Sequence, residues 1–121
     1  MGDNDERRVV VVEDDFLIAE YLSGLCTQFG ASVVGRAARG YEAIEVIKQH
    51  RPNVVLMDMR LADEVDGVDV IHAIQMSDIN LRIIFITGSN EPPTIQRIES
   101  VTPHRVLIKP IDPEALRSAL F

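Results

Sequence analysis

The chain has 121 residues, 46% of them hydrophobic, and 19 acids against 12 bases give a formal charge of −7. That length suits one domain with its own core, and an acid excess unbroken by any Lys/Arg stripe argues against direct contact with nucleic acid. Cys26 is the only cysteine and has no Cys or His at ligand spacing, which excludes an internal disulfide and a structural zinc site and makes it a core residue.

Residues 1–6 read as an acidic tail and 7–121 as the folded domain. Neither a secretory signal nor a membrane span is legible, so a cytoplasmic protein is the default expectation. Arg7 to Val12 is a β-branched strand that runs into Glu13-Asp14-Asp15. From Phe16 to Phe29 the period changes: Ile18, Leu22, Leu25, Cys26 and Phe29 share one helical face, and Gly30 supplies the stop. Leu17 and Tyr21 lie off that stripe; a broad core face is the simpler account of them, exposure to a partner the alternative.

A strand over Ala31 to Gly35 and a helix over Gly40 to His50 follow, the helix burying Ala43, Ile44 and Ile47 and breaking at Arg51-Pro52. Asn53 to Asp58 is a strand apolar on both faces that ends on a carboxylate. Met59 to Gly67 is a loop carrying Asp63, Glu64 and Asp66, and Val68 to Met76 is a helix with Val70, Ile71 and Ile74 inward. Leu81 to Thr87 is the next strand, closed by Thr87-Gly88-Ser89. Behind Pro92 and Pro93, Ile95, Ile98 and Val101 make a thin apolar face on a weakly held helix. Arg105 to Ile108 is the last strand, ending on Lys109-Pro110, and Asp112-Pro113-Glu114 caps a final helix of about two turns.

Strand and helix alternate five times without a hairpin signal, which predicts an α/β fold with a parallel sheet covered on both faces. In such sheets ligands bind beyond the carboxyl ends of the strands. Glu13-Asp14, Asp58, Thr87 and Lys109 each stand at such an end, so they converge on one crevice. Three carboxylates there repel one another unless a cation offsets them. With only oxygen ligands present, a hard ion such as Mg2+ is the natural candidate. Lys109 can pair with Asp58 in the free protein and stabilise phosphoryl oxygens in transfer, and Thr87 offers a hydroxyl to the same group.

These motifs together resemble a receiver domain of two-component response regulators, over essentially the whole length. The matching residues are Val-Val-Glu-Asp-Asp at 11–15, Leu-Met-Asp-Met-Arg-Leu at 56–61, Asp66-Gly67, Phe-Ile-Thr-Gly at 85–88 and Lys109-Pro110. The resemblance implies a flavodoxin-like, doubly wound sheet of five parallel strands in the order 2-1-3-4-5. It implies that Asp58 is the phosphoacceptor for a phosphoryl group from a sensor histidine kinase or histidine phosphotransfer protein. Mg2+ would be held by Asp14 directly, by Glu13 through water, by Asp58 and by the Arg60 carbonyl. Thr87 would move to bind the phosphoryl group, Lys109 would pair with it, and the Lys109-Pro110 bond would be cis. Asp15 is a rim residue or helix cap rather than a ligand. Such a domain catalyses only its own phosphorylation and dephosphorylation and is not otherwise an enzyme. It would signal to a downstream protein by contact, as a monomer or weak dimer, with no role at a membrane. A stand-alone receiver is the expected form, and a fragment of a longer response regulator is the alternative.

The chain departs from the family pattern at three places. Val106 stands where receivers commonly carry an aromatic residue that couples phosphorylation to the far surface, so the path from Thr87 to the fourth helix is the expected substitute. The loop after Asp58 is longer than usual and reads as a surface insertion, or alternatively as a flexible lid. Arg60 and Ser89 occupy positions that in the family tune hydrolysis of the phosphoaspartate, and the length of Arg60 predicts slow hydrolysis. His50, His72 and His104 have no partner at a spacing that suggests metal or phosphohistidine chemistry. An aspartyl-phosphate phosphatase usually needs a second acid where Arg60 stands, and a nucleotide-binding module would need a phosphate loop where Glu13-Asp14-Asp15 would repel phosphate.

Overall fold

The computed structural model describes residues 6–121, so most of the expected acidic tail lies outside the described residues. Strands β1 (Arg8–Val12), β2 (Ser32–Ala37), β3 (Val54–Asp58), β4 (Arg82–Thr87) and β5 (Arg105–Ile108) alternate with helices α1 (Phe16–Gln28), α2 (Gly40–His50), α3 (Gly67–Gln75), α4 (Pro92–Glu99) and α5 (Pro113–Leu120). The strands form one sheet in the order β2-β1-β3-β4-β5, every neighbouring pair parallel, as expected. Strand order reverses between β1 and β3, which opens a crevice at their carboxyl ends.

The two faces of the sheet make two cores. Val9, Val11, Leu56 and Ile86 pack with Leu22, Cys26 and Leu116 of α1 and α5. Val10, Val12, Met57 and Phe85 pack with Ile47, Ile71 and Ile98 of α2, α3 and α4. This alternation explains why β1 and β3 read as unbroken apolar runs: both of their faces are covered. Burial pushes the Cys26 thiol up to about 12, so it stays protonated and acts as core.

Helix ends follow local chemistry. Asp15 caps α1 by accepting from the N–H groups of Leu17 and Ile18. Gly30, at φ 95°, takes the left-handed position that ends α1. Arg51, before Pro52, ends α2 at φ 46°. Asp66 and Asp69 form a reciprocal capping box at the start of α3. The short α5 is held at its last carbonyls by Arg7 Nε, 2.6 Å from Leu120 O, and by Arg82 Nη1, 3.2 Å from Ala119 O.

Three expectations are corrected. Strand β2 runs on to Ala37 because Arg36 and Ala37 pair with Val11 and Val12 beyond an irregularity at Val9/Val10; backbone pairing, not side-chain pattern, extends it. Helix α3 begins one residue earlier, at Gly67, since the Asp66 cap sits before it. Leu17 and Tyr21 do not widen the core face of α1: they are 76% and 48% exposed, beside an equally open Phe16. Among the described residues no helix is long and apolar enough to cross a membrane.

Candidate functional site

The sheet gathers all the expected side chains at one edge. Asp58 and Thr87 are the last residues of β3 and β4. Glu13 and Asp14 directly follow β1, and the Glu13 N–H donates to Ala37 O at 3.0 Å, which continues the strand ladder into the site. Lys109 follows β5, its N–H donating to Thr87 O at 2.8 Å, and the Lys109-Pro110 peptide is cis. Together they line an open cavity of about 960 Å³, with Arg60, Asp66, Ser89 and Arg97 at its rim.

Carboxylate oxygens of Glu13, Asp14 and Asp58 lie within 4.8 Å of one another. Glu13 and Asp58 are buried, whereas Asp14 is exposed. Lys109 Nζ stands 3.0 Å from Glu13 Oε1 and 3.5 Å from Asp58 Oδ2. The lysine thus leans to Glu13 more than to Asp58, the partner expected from the sequence. Its approach to Glu13 is off the hydrogen-bond direction, so Oε1 is buried without an aligned donor. A buried, under-satisfied carboxylate oxygen facing two other acids suits a divalent cation held by oxygen.

The electrostatics agree. Asp58 is pushed up to about 7, first by burial and then by the Glu13 carboxylate beside it, with Asp14 adding to the rise and Lys109 opposing it. Burial acts to lower Lys109, but Glu13 and Asp58 outweigh it and raise the ammonium above its ordinary value. One cation among three acids leaves the site short of positive charge.

Thr87 is turned inward on its own loop. Its Oγ1 accepts from the Ser89 N–H at 3.1 Å and lies 3.3 Å from the Ser89 carbonyl, to which it donates. The one proton of the hydroxyl is thus engaged within its own turn.

The family model for the response regulator receiver domain matches residues 9–121. The chain belongs to the response regulator receiver domain family. It is 29% identical to chemotaxis protein CheY of Thermotoga maritima over 94% of each chain, and 26% identical to sporulation initiation phosphotransferase F of Bacillus subtilis over 93% of this chain and 90% of that protein. Among solved structures it is similar to the signal receiver domain of NarL from Mycobacterium tuberculosis, with a TM-score of 0.87 and 30% identity over 94% of this chain and 92% of that one.

Two features of this receiver were not legible in the sequence. Arg97 on α4 reaches Asp66 at 2.8 and 3.0 Å and Asp69 at 3.0 Å, tying α4 to the start of α3 at the mouth of the site. Burial alone would raise Asp66; Arg97 reverses this and holds its carboxyl below the usual range. The tie spans 28 to 31 residues, beyond the reach of helical periodicity. The second is the loop after Asp58. It is docked, not lid-like: Ala62 N–H donates to Ala38 O at 3.0 Å, and Asp63 accepts from the N–H groups of Gly40 and Tyr41 at 2.7 and 3.2 Å.

Helix α4 buries only Ile98, so the Arg97 tie is a large share of its anchorage. Arg97→Ala is expected to cost no more than about 1 kcal/mol, because the side chain is 42% exposed. It should nonetheless speed amide hydrogen exchange across residues 95–99. Unchanged exchange in that helix would show that the tie does not hold it.

Proposed function

We propose that Asp58 is the phosphoacceptor of this receiver. A carboxylate oxygen of Asp58 attacks the phosphorus of a phosphohistidine, the P–N bond breaks, and the imidazole leaves with its electron pair and takes up a proton. The observation that supports this best is the grouping of Glu13, Asp14 and Asp58 oxygens within 4.8 Å of one another beside Lys109. Glu13, Asp14, Asp58 and the Arg60 carbonyl are the residues that would hold Mg2+. When bound, the ion supplies positive charge that neutralises the acids and the transferring phosphoryl oxygens. Lys109 neutralises the same oxygens from the end of β5, and Thr87, once released from Ser89, donates its hydroxyl to one of them.

The donor is a sensor histidine kinase or histidine phosphotransfer protein. Phe16, Leu17 and Tyr21, exposed on the helix that follows the Mg2+-binding acids, support an apolar docking surface for it. The domain acts on itself alone and signals by contact. Val106 is only half-buried and small, so the path outward runs from Thr87 through Ser89 to α4 and its Arg97 tie.

Incubation with acetyl phosphate and MgCl2, followed by intact mass measurement, is expected to show one added phosphoryl group, lost when EDTA replaces Mg2+. An unmodified mass with Mg2+ present would refute the assignment.

A further inference from the structure

We infer that Asp63 is a positioning residue for the metal site, acting by locking the loop after Asp58 onto the start of α2. This rests on the Mg2+ reading above. Helix α2 has no side-chain cap of its own: Arg39, at its N-cap position, supplies none. Its first two N–H groups are satisfied instead by both carboxylate oxygens of Asp63, 23 and 22 residues away, at 2.7 Å for Gly40 and 3.2 Å for Tyr41. Those bonds hold the Asp63 carboxyl below its ordinary range, the bond from Gly40 foremost.

Two further contacts fix the same loop. The Ala62 N–H donates to Ala38 O, and Val65 lies so close to Gly40 that a Cβ there would come 2.5 Å from its side chain. At the far end, Gly67 N–H donates to Met59 O at 2.9 Å. Arg60 lines the site cavity between these anchors, three residues before Asp63. Arg60 is the residue whose backbone oxygen the receiver resemblance assigns to the ion, and it lies in the stretch between the Met59 and Ala62 anchors. Its position depends on a loop whose middle is held by a helix cap. A carbonyl on an undocked loop would have to be ordered by the metal, which weakens binding.

The test is Mg2+ affinity by calorimetric titration with MgCl2. Asp63→Ala is expected to bind Mg2+ about tenfold more weakly, the equilibrium equivalent of losing one helix cap. Asp63→Asn keeps one acceptor oxygen, enough for the shorter bond from the Gly40 N–H but not for the Tyr41 N–H as well, and should restore part of that loss. Asp112→Ala removes the cap of α5, at a residue that does not line the site cavity, and should leave Mg2+ affinity unchanged. Because coupling is reciprocal, saturating the wild-type protein with Mg2+ should slow exchange of the Gly40 and Tyr41 amides; this needs no variant to fold. Wild-type affinity in Asp63→Ala, no rescue by Asp63→Asn, or Mg2+-independent exchange at those amides would each overturn the inference. Failure of the wild-type protein to bind Mg2+ at all would instead overturn the metal-site reading on which it rests.

Discussion

Asp58→Asn is expected to abolish phosphoryl uptake and, in the same protein without metal, to raise stability above pH 7. The first effect follows from removing the proposed nucleophile, and intact mass after acetyl phosphate treatment reads it directly. The second follows from the crowding of acids. In the folded state Asp58 titrates near pH 7, against 3.8 for an ordinary carboxyl. Between those values the folded chain keeps a proton that the unfolded chain has lost, so stability falls as pH rises through this window. Below about pH 4 both states are protonated and the penalty vanishes; above 7 it is fully present. Asparagine carries no charge and removes that slope. The expected gain above pH 7 is about 2 kcal/mol, less than the roughly 4 kcal/mol that the full rise represents, because Lys109 also loses one of its two carboxylate neighbours. Thermal melts in EDTA from pH 4 to 8 should therefore converge at the acid end and separate by several degrees at the other. Parallel curves for the two proteins would show that Asp58 is not destabilised by its neighbours. Mg2+ should stabilise the wild-type protein far more than the variant.

Gly67→Ala is expected to cost about 2–3 kcal/mol and to slow phosphorylation as well. A Cβ at this position would stand 2.5 Å from the backbone oxygen of Asp58, 2.8 Å from Met57 Cγ and 3.0 Å from Phe85 Cε1. The nearest of these is main chain, which cannot swing aside as a side-chain end can, so β3 and α3 must separate where Asp58 is held. The comparison is Gly24, on the open side of α1, where a Cβ would meet nothing within 4 Å. Gly24→Ala should stabilise by roughly 0.5–1 kcal/mol, since alanine costs less backbone entropy in a helix. Denaturant titration of the two variants should give shifts of opposite sign. Equal shifts would mean that close approach to Asp58 is not what requires glycine at 67.

The site owes its legibility to the sheet. Each of Glu13, Asp58, Thr87 and Lys109 ends or follows an apolar run, and a parallel sheet delivers all such ends to one edge. The ties around the site are less legible, because they depend on contacts between elements. Arg97 is one charged residue on an exposed helix face, and nothing within a turn of it points to Asp66 and Asp69. Asp63 is one of three acids in a loop, and only its docking against α2 distinguishes it from Glu64.

Local pattern determined the alternation of five strands and five helices, the strand-end acids, the Asp15 cap and the Gly30 stop, since each depends on spacing within a few residues. The tertiary structure alone decided that Lys109 leans to Glu13, that Leu17 and Tyr21 face outward, that β2 extends to Ala37, and that Asp63 and Arg97 tie loop and helix around the site. Those choices depend on distances between residues far apart in the chain, which are set only when the two cores close on the sheet.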